Sequence, residues 1–179
     1  MTVHYTGAKA KPENNISGKL RSLYNFSTRQ RTKFKRNLWT DVPYHYYLDA
    51  KGLVAGGRDT RYQPDSNTKY DTDGHISIVV EGNDKDHISA EQQEKLKRML
   101  DAAVIQYNIK SISQIGVHSD FASTTCPGPE LRALVEAYKR SRSDLQPGVL
   151  QTAKDVLPVG QKNYLCPMAK PSAPAKGIE

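Results

Sequence analysis

The apolar positions of this chain change their period several times, and each change marks an element. Residues 1–6, MTVHYT, have the pattern of a short strand carrying His4, and Gly7 opens a polar loop through Lys11, Pro12 and Glu13. From Asn15 the apolar residues Ile16, Leu20, Leu23 and Tyr24 recur at helical spacing, which predicts an amphipathic helix packed on a sheet. The run VPYHYYLDAKGLVAGGRD at 42–59 predicts a hairpin, two strands around an Asp-Ala-Lys-Gly turn. Residues 60–74 are polar and rich in turn formers, as a surface loop is, and ISIVVEG at 76–82 is the nearly continuous apolar run of a central strand.

Ser89 and Gln92 form a capping-box pattern, and Leu96, Met99, Leu100, Ala103, Val104 and Tyr107 trace one face of a helix ending near Asn108. SQIGVHSD at 113–120 predicts a strand that ends at His118, after which a Ser/Thr-rich loop leads to Cys126-Pro127-Gly128. Pro129 opens a helix through about Arg142, with Leu131, Leu134, Val135 and Tyr138 inward. The pattern is that of an α/β protein: a single domain over residues 1–142, with a mixed central β-sheet flanked by α-helices. In 143–179 periodicity weakens towards PMAKPSAPAKGIE, which predicts a C-terminal extension that is partly flexible.

Composition narrows the class without naming a function. A chain of 179 residues fits one ordinary domain, and its longest apolar stretches fall far short of the ~20 residues of a bilayer span, predicting a soluble protein. MTVHYTGAKAK lacks a basic region followed by an apolar one, so no signal peptide is expected. Work outside the cytoplasm would then depend on lysis machinery or a secretion system. Two cysteines, 126 and 166, allow one disulfide at most, and Cys166 has no assignable role. The balance of 26 Lys+Arg against 19 Asp+Glu, 26 − 19 = +7, favours acidic partners such as nucleic acid, anionic lipid or an acidic cell-wall polymer.

The chemistry concentrates in GVHSDFASTTCPG at 116–128, where a histidine at a strand end and a cysteine eight positions later flank a loop. Imidazole nitrogen and thiolate are preferred zinc ligands, and three protein ligands with one open position mark a catalytic zinc. His4, on another strand, is the best third candidate. The spacing alone is equally compatible with a core histidine and a buried small cysteine.

Across residues 3–138 the order of motifs is more specific: VHYTGA, DVPYHYYLDAKGLVAGGRD, ISIVVEGN, the Ser-Ala-Glu-Gln-Gln helix and H-SDFASTT-CPG. This order resembles the zinc-dependent N-acetylmuramoyl-L-alanine amidases of the amidase type 2 superfamily, which includes short phage lysozymes and the peptidoglycan recognition proteins. The resemblance implies their fold, Zn²⁺ as cofactor, peptidoglycan or muropeptide as substrate, and hydrolysis of the amide between N-acetylmuramic acid and L-alanine. It implies His4, His118 and Cys126 as zinc ligands and Tyr44 as the catalytic tyrosine. Thr124 stands where phage relatives often carry a lysine two residues before the cysteine, and its hydroxyl is a candidate for transition-state support. Relatives often place a histidine in the substrate groove ahead of the central strand; Asn67 and Lys69 lie nearest here, and Arg58 and Asp59 match a Gly-Arg-Asp that would pair to shape the groove. Asp120 is a candidate to orient the His118 loop or to accept a hydrogen bond from a ligating histidine. His45, His75 and His87 read as structural or surface histidines.

Three functional classes remain. The first is a cell-wall amidase, in the setting of a phage endolysin or a delivered antibacterial effector with an unknown delivery or immunity partner. The second is a recognition module that holds muropeptide without cutting it, against which the retention of Cys126, both histidines and Tyr44 counts. The third, a nucleic-acid-binding domain, would draw on the basic run Arg29, Arg31, Lys33, Lys35 and Arg36; only Phe34 interleaves those charges, so no nucleic-acid partner is expected. An anionic envelope suits the run better, with association strongest at low salt.

Overall fold

The computed structural model describes residues 1–29, 39–142 and 157. Lys33, Lys35, Arg36, Cys166 and all of the 143–179 extension except Leu157 lie outside the described residues. The elements run β1 (Thr2–Tyr5), α1 (Ile16–Arg29), β2 (Tyr46–Leu48), β3 (Val54–Gly56), β4 (Ser77–Val80), α2 (Ala90–Gln106), a 3-10 turn (Ile112–Gln114), β5 (Gly116–Val117), α3 (His118–Phe121) and α4 (Pro129–Ser141). The strands form one sheet in the order β3-β2-β4-β1-β5, antiparallel only between β2 and β3. This is the mixed central sheet flanked by helices that the sequence predicts.

Strand alternation sorts side chains between the two faces. Val3, Tyr46, Leu48, Ile78 and Val80 join Leu96, Met99, Leu100 and Ala103 of α2 and Leu131, Val135 and Tyr138 of α4 in the larger core. Their neighbours in sequence, Tyr47 and Val79, turn to the opposite face, where Leu20 of α1, Val42 and Ala55 make a smaller cluster. Val3 belongs to the first face, so His4 belongs to the second. The smaller core leaves room there for polar chemistry.

The hairpin turn is built by Asp49 and Gly52. Oδ1 of Asp49 accepts the Lys51 and Leu53 N–H groups at 2.9 and 2.8 Å, and Gly52 takes φ +77°. A Cβ at Gly52 would also stand 3.0 Å from the Glu91 carbonyl oxygen at the start of α2, so the position is closed to larger residues twice over. Ser89 caps α2 with the predicted capping box and donates its hydroxyl to Ala50 O at 3.0 Å, seating the turn on the helix.

A buried ion cluster ties α1 to this assembly. Nζ of Lys19 lies 2.7 Å from Glu81 Oε2 and 3.4 Å from Asp49 Oδ2, with all three side chains at most 5% exposed. Glu81 also accepts backbone N–H groups from Lys11 and Ala50, so its carboxylate is fully engaged. Lys19→Met would leave two carboxylates buried without a counter-charge, a loss of about 3–5 kcal/mol by analogy with broken buried pairs. Urea unfolding should report that loss; a change under about 1 kcal/mol would show that solvent reaches the cluster.

Candidate metal centre

Three elements deliver the candidate ligands to one end of the sheet. His4 comes from β1, paired opposite Val79 of β4. His118 opens α3 directly after β5. The sequence predicts a strand through His118, and the finding differs: pairing stops at Val117, because the Asp120 carboxylate turns back to accept the Val117 N–H at 2.9 Å and starts a helical turn. Arg132 of α4 holds Asp120 at 2.6 Å and donates to Ser119 Oγ at 2.7 Å. Asp120 therefore orients the His118 loop.

Cys126 arrives on the loop between α3 and α4, where its carbonyl accepts the Ser119 N–H at 3.0 Å and its Sγ receives the Tyr5 N–H at 3.5 Å. The imidazole nitrogens of His4 and His118 and the Cys126 sulfur offer three ligand atoms within 4.8 Å of one another, all on buried residues. The His4 and His118 rings are 4.5 Å apart, and His4 Nδ1 is 4.0 Å from the sulfur. Tetrahedral zinc with bonds of 2.0–2.3 Å separates such ligand atoms by about 3.5 Å, so a small inward movement closes the set.

The electrostatics fit a cation. Burial, with His118 and His75 beside it, lowers the His4 pKa well below the ordinary histidine value, and burial lowers that of His118. Burial pushes the Cys126 thiol up to about 12. Without a cation burial keeps all three groups neutral, and among the described residues His4 Nε2 has no hydrogen-bond partner. A divalent ion would reverse the preference of the thiol and stabilise its thiolate.

Tyr44 stands beside the centre, its ring 5.1 Å from His4. It precedes β2 rather than lying in it, and its backbone is pinned by Gly57 and Arg58, whose N–H groups donate to His45 O and Tyr44 O at 2.8 and 2.9 Å. A Cβ at Gly57 would fall 2.4 Å from the Tyr44 carbonyl oxygen, which explains the glycine before Arg58. Burial, then Cys126, raises the Tyr44 pKa, so its hydroxyl keeps its proton. Thr124 accepts the Cys126 N–H on Oγ1 at 3.2 Å.

The groove candidates divide. Asn67 and Lys69 are exposed on the loop that borders the centre. Arg58 is committed to backbone carbonyls, donating to Val42 O at 2.9 Å and Gln63 O at 2.6 Å. The predicted Arg58–Asp59 pair does not form; Asp59 pairs with Arg61 at 2.8 Å because Arg58 turns inward to the loop carbonyls. Tyr70 was not legible as a site residue, though it is an isolated aromatic in a polar run. Its ring lies 5.4 Å from His118 and stacks on Phe121 at 5.7 Å, with His75 edge-on to Phe121 at 4.9 Å. His87 is an exposed partner of Glu130.

Residues 1–129 match the N-acetylmuramoyl-L-alanine amidase family. Peptidoglycan-recognition protein SD of Drosophila simulans is 28% identical over 136 residues, covering 75% of this chain and 69% of that protein. Among solved structures, human peptidoglycan recognition protein IβC in complex with glycosamyl muramyl pentapeptide superposes with TM-score 0.60 at 20% identity, covering 75% of this chain and 79% of that one. The N-acetylmuramoyl-L-alanine amidase LysC of Clostridium intestinale gives TM-score 0.55 at 21% identity, covering 78% and 81%.

His45 is a structural histidine with both nitrogens used by a neutral ring. Nδ1 accepts the Ser77 N–H at 3.0 Å and Nε2 donates to Tyr62 O at 2.9 Å. Burial lowers its pKa below that of the unfolded chain, so the unfolded state binds more protons as the pH falls through about 6.5. Stability should be lost on that side. The urea midpoint of chelator-treated protein should be lower at pH 5.5 than at pH 7.5, and His45→Gln should narrow the difference; an equal difference in the variant would remove His45 as a source.

Proposed function

The chain belongs to the N-acetylmuramoyl-L-alanine amidase family, and from that premise we propose that it is a zinc-dependent hydrolase of the amide bond between N-acetylmuramic acid and L-alanine in peptidoglycan. The observation that carries this reading is the convergence of His4, His118 and Cys126 beside Tyr44. Two imidazoles and a thiolate are a zinc donor set with a position left for substrate or water. When bound, zinc supplies Lewis acidity, polarising the scissile carbonyl and lowering the pKa of water towards neutrality.

The chain's own groups do the rest. Tyr44, kept protonated by burial, is a hydrogen-bond donor for the oxygen that becomes negative as the carbonyl is attacked. Thr124 accepts the Cys126 N–H and so retains its own proton for donation, a supporting role in the same step. Asn67 and Lys69, exposed on the bordering loop, are the groove contacts for the muropeptide. The domain is taken as 1–142, with 143–179 as an extension, and action on the cell wall follows release by lysis machinery or delivery by a secretion system.

A recognition module that binds muropeptide without cleavage is the second reading, favoured by the similarity to peptidoglycan-recognition protein SD. The two separate on purified sacculi. The zinc-loaded protein should release free stem peptide with an L-alanine amino terminus, and Tyr44→Phe should lower turnover about 10²–10³-fold while keeping its zinc. Muropeptide binding without peptide release would establish the recognition reading; near-normal turnover of Tyr44→Phe would remove that hydroxyl from the mechanism.

A further inference from the structure

Between the exposed Asn67 and Lys69 stands Thr68, whose hydroxyl oxygen lies 2.6 Å from Nε2 of His118. The contact joins residues 50 positions apart, and the segment that delivers it is tied down on both sides. Before it, Arg58 and His45 hold the carbonyls of Gln63 and Tyr62. The Asp65 N–H reaches Pro43 O at 3.0 Å. After it, Thr72 donates to Pro64 O at 2.8 Å and accepts from Gln63 Nε2 at 2.9 Å. Thr68 is thus presented by a fixed scaffold rather than by a loose surface loop.

A neutral imidazole has one N–H donor and one acceptor nitrogen, and the partner of one fixes the role of the other. Thr68 engages Nε2 of His118, and among the described residues no hydrogen bond engages Nδ1. Ser66 Oγ lies 2.8 Å from Thr68 Oγ1 and can accept the threonine proton, since its own proton is donated to the Thr68 carbonyl at 3.4 Å. With that proton directed to Ser66, the Thr68 oxygen is free to accept from Nε2–H. His4 is held differently: Nδ1 faces the Cys126 sulfur at 4.0 Å, and among the described residues its buried Nε2 has no partner.

We propose that Thr68 is a positioning residue whose hydroxyl accepts the Nε2–H of His118, fixing the tautomer in which the Nδ1 lone pair is free for the metal. The role rests on the zinc reading above. Partners of this kind orient ligating histidines, and their loss typically costs about 10- to 100-fold in metal affinity. The same bond run in reverse, with the hydroxyl donating to Nε2, would place the proton on Nδ1 and oppose ligation. Removing the hydroxyl therefore changes affinity in opposite directions under the two arrangements.

The full chain, freed of metal, should show the Nε2–H tautomer of His118 in long-range ¹H–¹⁵N spectra, and Thr68→Val should lose that preference. In competition with a chromophoric chelator, Thr68→Val should bind zinc about 10- to 100-fold more weakly and Thr68→Ser should restore affinity, with unchanged urea midpoints excluding misfolding as the cause. Zinc affinity in Thr68→Val equal to or above wild type, or an Nδ1–H tautomer in the wild type, would overturn the role of Thr68 alone. A wild-type chain that takes up no zinc would overturn the metal reading and this role together.

Discussion

The pairing of β1 on both of its edges is the constraint from which the site follows. β1 runs parallel to β4 on one side and to β5 on the other, so its side chains can only alternate between the two faces of a sheet already fixed by its neighbours. Val3 is fully buried in the α2–α4 core, and a slip of one residue would place a histidine there instead. The register that buries Val3 is the register that delivers His4 to the other face. β5 ends beside β1 and hands the chain to His118, and the Tyr5 N–H reaches the Cys126 sulfur, so the same strand organises all three candidate ligands.

The site is polar at a cost that the fold accepts elsewhere. Two imidazoles held neutral and a thiol pushed up to about 12 are poor core residues, and His4 Nε2, unbonded among the described residues, forfeits a hydrogen bond that burial normally demands. Local departures from foldability of this kind mark functional positions. Their support comes from rigid neighbours: the Asp120–Arg132 pair braces α3, and the Lys19–Glu81–Asp49 cluster braces α1 and the hairpin turn. The long 57–76 segment, polar in sequence, is braced by Arg58 and His45 through its own carbonyls.

Much of this was legible in the residues because local patterns and tertiary structure agree. The Ser89–Gln92 capping box, the Asp49–Gly52 turn and the helical faces of α2 and α4 appear where their patterns lie. His4, His118 and Cys126 were legible through residue chemistry and motif order. The end of β5 was not, since the carboxylate of Asp120 terminates it and nothing in SQIGVHSD distinguishes a capping aspartate from a solvated one. Thr68 was hidden for a different reason: its contact spans 50 positions and depends on how a turn-rich segment folds back, which carries no periodic signal. The Arg58–Asp59 pairing failed because adjacency in sequence says little when one side chain has backbone carbonyls within reach.

On the proposed reading, the register of β1 brings His4, His118 and Cys126 together as a zinc site. Metal analysis with zinc-edge X-ray absorption on the purified full chain, with Cys126→Ala measured alongside, reads out that site. One zinc per chain is expected, bound through one sulfur and two imidazole nitrogens, with loss of the sulfur shell and weakened retention in the variant. A folded wild-type chain that holds no zinc, or zinc whose shell is the same with and without Cys126, would contradict it.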